Sequence, residues 1–461
     1  MTDNRSASLE FAKQNRQRFL DELEEYLKIP SVSTDPEHKA DIESAAQWTA
    51  GQLRSLGMNN VRVYPTDGHP AVYGEYLQAG ESVPTLLVYG HYDVQPPDPL
   101  DLWKSGPFDP EVRGENLYAR GASDMKGQVM AALKALEAVN SAAELPINLK
   151  FLIEGEEEIG SPSLKNFIPA HQELLAADYA LNPDTGMTGA NQPTITYALR
   201  GLAYFEVRVY GPDHDLHSGQ FGGVVHNPAQ ALCELISGMH DDQGRITLPG
   251  FYDKVRPLDE QERAELSRMP MDEAYYLEQT GVPALWGESG YSPVERVGAR
   301  PTLEVNGLLS GFTGEGSKTV LPAWAMAKIS CRLVPEQDPE EVRQQLLKYL
   351  EGNAPKTIRY EVIELAGGAA SISDRNSAGV KAMEQAIEAV WGKRPIYKRE
   401  GGSVPVVAQF QDYLGLESIS CGFGLPDDNL HSPNEKLHLP TWYEGINTYI
   451  QFFYNMGSIK R

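Results

Sequence analysis

The chain has 461 residues, more than one typical hydrophobic core accommodates, so its length predicts two domains. Apolar residues make up 41% and charged residues 23% of the chain, which is ordinary for a folded protein and argues against disorder. Lysine and arginine number 40 against 64 aspartates and glutamates, and the resulting net charge of −24 argues against nucleic acid as a partner.

The cysteines indicate a reducing compartment. Cys233, Cys331 and Cys421 are widely separated and form no CxxC pair, so neither a disulfide framework nor a thiolate zinc site is indicated. The opening stretch "MTDNRSASLEFAKQNRQRFL" lacks the apolar core of a signal peptide, and no stretch approaches the roughly 20 apolar residues that span a bilayer. We therefore expect a cytoplasmic protein with no membrane partner.

Strands and helices alternate from about residue 84 to residue 200. "PTLLVYG" is typical of a buried strand, "GQVMAALKALEAV" has the apolar period of a helix, and "INLKFLIEG" is apolar throughout again. This alternation predicts an α/β sheet, and such sheets place ligand sites at the carboxyl ends of their strands. His91, Glu157 and Glu158 fall at those ends.

The pattern changes near residue 195. "TITYALRGLAYFEVRVYG" and "AWAMAKISCRLVP" predict longer strands, and helices are expected at "NPAQALCELISGM" and "DPEEVRQQLLKYLEG". Each of these helices begins with an N-cap residue followed by proline, namely Asn227 with Pro228 and Asp338 with Pro339. These segments predict a second domain of the α+β type.

The glycine- and alanine-rich stretch "ELAGGAASISD", residues 364–374, is interpreted as a flexible connection, after which "AGVKAMEQAIEAVWG" predicts a helix that stops at Gly392. The fold class expected is α/β, with a central, mostly parallel sheet and an inserted α+β domain. Residues 1–195 and 371–461 would form the first domain, and residues 196–370 the inserted one.

Candidate metal ligands occur where strands end. In "YGHYDVQ", His91 and Asp93 lie two residues apart, so in a strand both side chains would point to the same side. "EGEEEIGS" carries three consecutive carboxylates after a buried strand, and "RGASDMKG" carries Asp124 before a helix. Taken singly, these residues also fit a solvated loop tip, a helix cap or a salt bridge.

As a set they indicate a metal centre. Two imidazoles and three carboxylates supply nitrogen and oxygen ligands without cysteine, a combination that suits Zn, Mn or Co. One carboxylate shared by two ions would hold them roughly 3.5–4 Å apart. The set consists of His91, Asp124, Glu158, Asp184 and His431.

Seven motifs, in order from about residue 85 to residue 445, resemble the aminoacylase and carboxypeptidase family of co-catalytic zinc metallopeptidases. They are most similar to its carnosinase and cytosolic nonspecific dipeptidase branch. The motifs are "GHYDV", "RGASDMKG", "EGEEEIGS", "DLHSGQFGG", "GSKTVLP", "REGGSVP" and "HSPNEKL".

The resemblance implies two divalent metal ions per subunit, with zinc preferred and manganese or cobalt as alternatives. Asp124 would bridge the two ions and be followed by a cis peptide bond to Met125. One ion would be held by His91 and Asp184, and the other by Glu158 and His431.

The resemblance also implies the chemistry. Glu157 would be the general base that takes a proton from the attacking water and returns it to the leaving amine, and Asp93 would orient His91. In the inserted domain, which would serve as lid and dimerisation domain, His217 would stabilise the oxyanion, in the partner subunit's site of a homodimer.

Further residues resemble contacts to a dipeptide or short peptide substrate. Arg332 and Thr319 would bind the terminal carboxylate, which a guanidinium can grip with two hydrogen bonds. Gly402 and Ser403 would contribute backbone and hydroxyl contacts there, and Glu400 would meet a free substrate amine. An ion pair is the ordinary interpretation of Arg332, and a turn that of the glycines before Ser403.

Two positions bear on specificity. Asp184 stands where carboxypeptidase-like relatives carry glutamate, which favours dipeptidase or aminopeptidase activity. Ala366 stands where related dipeptidases tend to carry histidine, so a polar substrate contact is missing and a carnosine-like preference is in doubt. Two alternatives stay open at this stage: a deacylase or desuccinylase of the same family acting on N-acyl substrates, and a catalytically silent binding protein.

Overall fold

The computed structural model describes residues 2–402 and 404–460, and the chain forms two compact units. The first comprises Met1–Tyr197, Ser373–Lys398 and Val406–Arg461, and the second comprises Ala198–Ile372 and Arg399–Pro405. Within the described residues, no helix combines the length and the apolar character needed to cross a membrane.

The described strands, in chain order, are β1 (Asn59–Tyr64), β2 (Ala71–Tyr76), β3 (Thr85–His91), β4 (Glu111–Arg113), β5 (Asn116–Tyr118), β6 (Asn148–Glu154), β7 (Tyr179–Asn182), β8 (Thr194–Leu199), β9 (Gly201–Tyr210), β10 (Leu216–His217), β11 (Thr302–Ser310), β12 (Val320–Leu321), β13 (Trp324–Leu333), β14 (Arg359–Gly368), β15 (Ser371–Ile372), β16 (Ile396–Glu400), β17 (Glu417–Ser420) and β18 (Lys436–His438).

The described α-helices are α1 (Thr2–Gln14), α2 (Arg16–Leu27), α3 (Lys39–Ser55), α4 (Lys126–Ala142), α5 (Leu164–Ala170), α6 (Gln172–Leu175), α7 (Ser218–Phe221), α8 (Pro228–Ser237), α9 (Glu260–Leu266), α10 (Glu273–Thr280), α11 (Pro293–Ala299), α12 (Pro339–Asn353), α13 (Ala378–Trp391), α14 (Pro405–Leu414) and α15 (Leu439–Met456). Short 3-10 turns lie at Pro36–His38, Leu100–Leu102 and Glu157–Ile159.

The larger sheet has the strand order β1-β2-β6-β3-β7-β17-β8-β15, and β16 also pairs with β8. Its four central strands, β6, β3, β7 and β17, run parallel, whereas the outer pairs are antiparallel. Every residue of β3 and β6 is buried, as expected for strands covered on both faces. The buried helix α4 connects these two strands, and all three lie where the apolar pattern predicts.

The second unit contains an antiparallel sheet in the order β11-β13-β9-β14. Residues of β13 alternate between buried and partly exposed, because one face packs on helices α8 and α12 to form a core with β9. The predicted N-caps are present: Asn227 accepts from Ala229 N, and Asp338 accepts from Glu341 N. The predicted fold class, an α/β sheet domain with a separate α+β domain, is confirmed.

The expectation of a flexible connection over residues 364–374 is wrong. Strand β14 continues to Gly368 and β15 follows directly, so most of this stretch is in a sheet. Ala366 pairs with Tyr204, and Gly367 pairs with Ala203, both on β9. The ladder hydrogen bonds of β9 stabilise this extended backbone although glycine and alanine have low strand propensity.

Candidate metal centre

His91, the last residue of β3, presents one ring nitrogen to a cluster of carboxylates. Its Nδ1 donates to the carbonyl oxygen of Asp93 at 3.0 Å, which leaves the lone pair of the neutral ring on Nε2. That Nε2 is buried and makes no hydrogen bond, although Asp124 Oδ1 lies 3.3 Å away. A lone pair that faces carboxylate oxygens is stabilised by a cation between them.

Asp124 lies between two histidines. Its Oδ1 is 3.3 Å from Nε2 of His91, and its Oδ2 is 3.0 Å from Nε2 of His431. The peptide bond from Asp124 to Met125 is cis, as predicted. The two carboxylate oxygens thus point to different imidazoles, which is the arrangement that a ligand shared by two ions requires.

The remaining acidic residues complete two neighbouring groups of donor atoms. Glu158 Oε2 lies 3.2 Å from His431 Nε2, whereas Asp184 Oδ2 and Glu157 Oε2 lie 3.9 Å and 4.0 Å from His91 Nε2. Within each group, donor atoms lie within 4.8 Å of one another; the groups are His91, Asp124 and Glu158, and His91, Glu157 and Asp184. The structure therefore brings the five predicted ligands and Glu157 together.

The electrostatics of the cluster show an excess of negative charge. Burial and the charge of Asp184 raise the pKa of Glu157 well above its usual range, and burial and the charge of Asp124 raise the pKa of Asp184 to about 7. Hydrogen bonds to Asp124 and Glu158 raise the pKa of His431 to about 10. Buried carboxylates in such proximity are stabilised by cations, and the oxygen and nitrogen donors fit divalent metal ions.

Asp93 and Glu156 hold the loop that carries the adjacent carboxylates. The carboxylate of Asp93 accepts hydrogen bonds from the backbone N–H groups of Glu157 and Glu158, at 3.2 Å and 3.1 Å, and its Oδ1 lies 3.4 Å from Nδ1 of His91. Glu156 points elsewhere and accepts from His69 N at 3.0 Å. Of the three consecutive glutamates, the second and third therefore belong to the cluster.

Glu435 is a residue that the sequence analysis did not single out, although it lies in the motif "HSPNEKL". Its side chain is fully buried, and one of its oxygens accepts from Gly121 N at 2.8 Å and from Arg120 Nη1 at 2.8 Å. The other oxygen accepts from the backbone N–H groups of Ser123 and Asp124, at 2.9 Å and 3.0 Å. Glu435 thus fixes the backbone on which Asp124 stands.

We expect Glu435→Gln to weaken metal binding about 10- to 100-fold, the usual effect of removing a residue that supports a metal ligand. The amide would place an N–H₂ group against backbone N–H donors and so disturb the direction of Asp124. The measurement is metal affinity by competition with a chromogenic chelator. Asp427→Asn is the matched control, because Asp427 is exposed and contacts Lys436 in the same loop; equal metal affinity in both variants would contradict the prediction.

In the second unit, His217 and Thr319 lie side by side. Strand β10, which ends at His217, pairs with β12, and Ser218 N donates to the carbonyl oxygen of Thr319 at 3.1 Å. Nδ1 of His217 accepts from Gly219 N at 3.0 Å, so the neutral ring carries its proton on Nε2. His217 and Thr319 are both exposed. A donor N–H is what an oxyanion contact requires.

Other predicted substrate contacts also lie in the second unit. Burial and the charge of Arg332, on β13, lower the pKa of Arg200, and the charge of Glu400 raises it. Arg200 donates from Nε to the carbonyl oxygen of Gly401 at 3.1 Å. Gly402 is exposed, Ser403 lies outside the described residues, and Ala366 is exposed on β14.

Residues 87–455 match the model of peptidase family M20/M25/M40, and the chain belongs to this family. The Cys-Gly metallodipeptidase of Candida albicans is 31% identical over 452 residues, which cover 94% of this chain and 93% of the relative. The Beta-Ala-His dipeptidase of Homo sapiens is 31% identical over 473 residues, covering 96% and 91%. The predicted resemblance and the prediction of a metallopeptidase are confirmed.

The solved structures include a similar fold. An M20 family metallo-carboxypeptidase from Sulfolobus solfataricus superposes with a TM-score of 0.84, at 34% identity, and the match covers 96% of this chain and 99% of that one. The relatives thus include proteins named as dipeptidases and one named as a carboxypeptidase.

Proposed function

We propose that the protein hydrolyses the peptide bond of dipeptides or short peptides with a free N-terminus, using two divalent metal ions. The nitrogen and oxygen donors favour zinc, with manganese or cobalt as alternatives. The observation that carries the proposal is the position of Asp124, whose two oxygens face His91 and His431. The names of the two relatives that are dipeptidases support the substrate class.

In this proposal Glu157 holds and moves the proton. When bound, the metal ions would supply a water of lowered pKa and polarise the substrate carbonyl. Glu157 accepts the proton of the attacking water on a carboxylate oxygen and passes it to the leaving amine. Asp93 holds the backbone of Glu157 in place, because its carboxylate accepts the Glu157 N–H at 3.2 Å.

Residues of the second unit would bind and stabilise the substrate. Arg332 and Thr319, with Gly402 and Ser403, would hold its terminal carboxylate, Glu400 its free amine, and His217 Nε2–H its oxyanion. We further propose that the protein is a homodimer in which His217 serves the partner's site. Phe221 and Val224, which follow His217, support an interface there because they are exposed, Val224 by 83%.

We expect removal of metal by a chelator to abolish hydrolysis of dialanine, and zinc, manganese or cobalt to restore it. Loss of the ions should also lower the unfolding temperature, since ions that bind the native state stabilise it. The measurements are metal content by atomic spectrometry, turnover, and thermal unfolding. Full activity of a protein shown to be metal-free would contradict the proposal.

The same assay separates the alternatives. The Sulfolobus solfataricus structure favours a second candidate, a carboxypeptidase acting on longer peptides, so tri- and tetrapeptides belong in the panel. Preference for N-acetyl or N-succinyl substrates over dialanine would identify a deacylase or desuccinylase, which Asp184 and Glu400 disfavour. A metal-loaded protein inert to the whole panel would be a binding protein.

A further inference from the structure

The second unit contains a cavity of about 430 Å³ whose charged lining is mainly positive. This is unusual in a chain of net charge −24. Its size exceeds the needs of a single inorganic anion, and Trp286, Ile246 and Val297 add apolar wall. The charged lining residues are Arg200, Arg296, Arg300, Arg332, Glu288 and Glu304.

The acidic residue Glu288 is already engaged and does not neutralise the rest of the cavity. Its carboxylate accepts two hydrogen bonds from Arg300, at 2.7 Å and 2.8 Å, and lies 3.2 Å from Nη1 of Arg245. Arg296 donates from Nε to the carbonyl oxygen of the same glutamate at 3.0 Å. Two arginines therefore bind the carboxylate of Glu288, and a third binds its backbone carbonyl oxygen, at this end of the cavity.

Arg200 and Arg332 form a second concentration of positive charge. Arg200 is 9% exposed, and burial together with the nearby charge of Arg332 lowers its pKa to about 10. The charges of Glu400 and Glu304 raise the pKa of the same guanidinium. With Arg245 and Glu400 included, the residues in and around the lining comprise five arginines and three glutamates, a composition that favours an anionic ligand.

We propose that this cavity binds the acidic side chain of the substrate's carboxyl-terminal residue, so that the protein prefers short peptides that end in glutamate or aspartate. The inference rests on the proposed function, in which Arg332 takes the terminal carboxylate; Arg200 and Arg296 then serve the second one. Guanidinium groups suit this task because they bind carboxylates with paired hydrogen bonds.

The test compares alanyl-glutamate with alanyl-glutamine, which have nearly the same shape and differ in charge. We expect kcat/KM of the metal-loaded wild-type enzyme to be at least about tenfold higher for alanyl-glutamate, mainly through KM, and the ratio to approach one in Arg200→Gln. Arg200→Lys, which retains the charge, should keep an intermediate ratio. Arg296→Gln provides a second, more exposed site, in case Arg200→Gln does not fold.

Arg343→Gln is the matched control, because it removes one positive charge from α12, where Arg343 contacts Glu340 instead of the cavity; the wild-type ratio should persist. A wild-type ratio near one overturns the inference while hydrolysis of both peptides leaves the proposed function intact, whereas hydrolysis of neither contradicts the proposed function. If calorimetry shows that glutarate binds through Arg200 although the ratio is one, the cavity holds a free organic acid and the inference also fails.

Discussion

Glu157→Gln is expected to retain both metal ions and to lose about 10²- to 10⁴-fold in kcat, the usual contribution of a general base. The amide has nearly the shape of the carboxylate but cannot accept the proton of the attacking water. The measurements are metal content by atomic spectrometry and kcat for dialanine at saturating substrate. Retention of more than about a tenth of the wild-type kcat, with metals bound, would show that Glu157 is not the base.

Metal content is decisive here because Glu157 Oε2 lies 4.0 Å from His91 Nε2, almost the same distance as Asp184 Oδ2. Proximity therefore does not distinguish a base from a ligand, whereas the variants do. Glu158→Gln is the matched comparison, since the neighbouring Glu158 is a predicted ligand and lies 3.2 Å from His431. We expect metal affinity to fall in Glu158→Gln and to be retained in Glu157→Gln; loss of metal in both would make Glu157 a ligand.

The parts of the fold that could be predicted are those with local apolar patterns. Strands β3 and β6 are buried along their whole length and helix α4 connects them, so uninterrupted apolar runs and a helical period identify all three. Because parallel strands end at one edge of a sheet, the position of His91 at the end of β3 follows from the same pattern. The end of strand β14 could not be predicted, since Ala366, Gly367 and Gly368 are held in extended conformation by pairing with β9.

The site, like the fold, contains residues that could be predicted from the sequence and residues that could not. Its ligands could be proposed because two histidines and three carboxylates at predicted strand ends form a set that suits a metal, and because their motifs resemble a known family. Glu435 was not predicted because three of its hydrogen-bond partners are backbone N–H groups, which no sequence pattern identifies, and because the stretch that it supports is distant in the chain, Asp124 being 311 residues away. The arginines of the cavity likewise come from separate segments, so their shared surroundings are visible only in the folded protein.

If His217 acts across a dimer interface, two inactive variants should restore activity when they are mixed. Glu157→Gln removes the base, and His217→Ala removes the proposed donor to the oxyanion. In a mixed dimer, one site then carries both defects and the other carries neither, because each copy of His217 serves the partner's site. We expect about half of the wild-type activity per mixed dimer, measured with dialanine under conditions in which subunits exchange.

A second mixture provides the control. Glu157→Gln combined with Glu158→Gln should stay inactive, because both changes affect the metal centre of their own chain and every site of the mixed dimer retains one defect. Exchange is verified independently by native mass spectrometry of differently tagged subunits. If exchange is complete and the mixture of Glu157→Gln with His217→Ala also stays inactive, His217 does not serve a neighbouring subunit. If the protein proves to be a monomer, the exposed residues Phe221 and Val224 beside His217 are not a dimer interface, and the shared site is excluded on that ground alone.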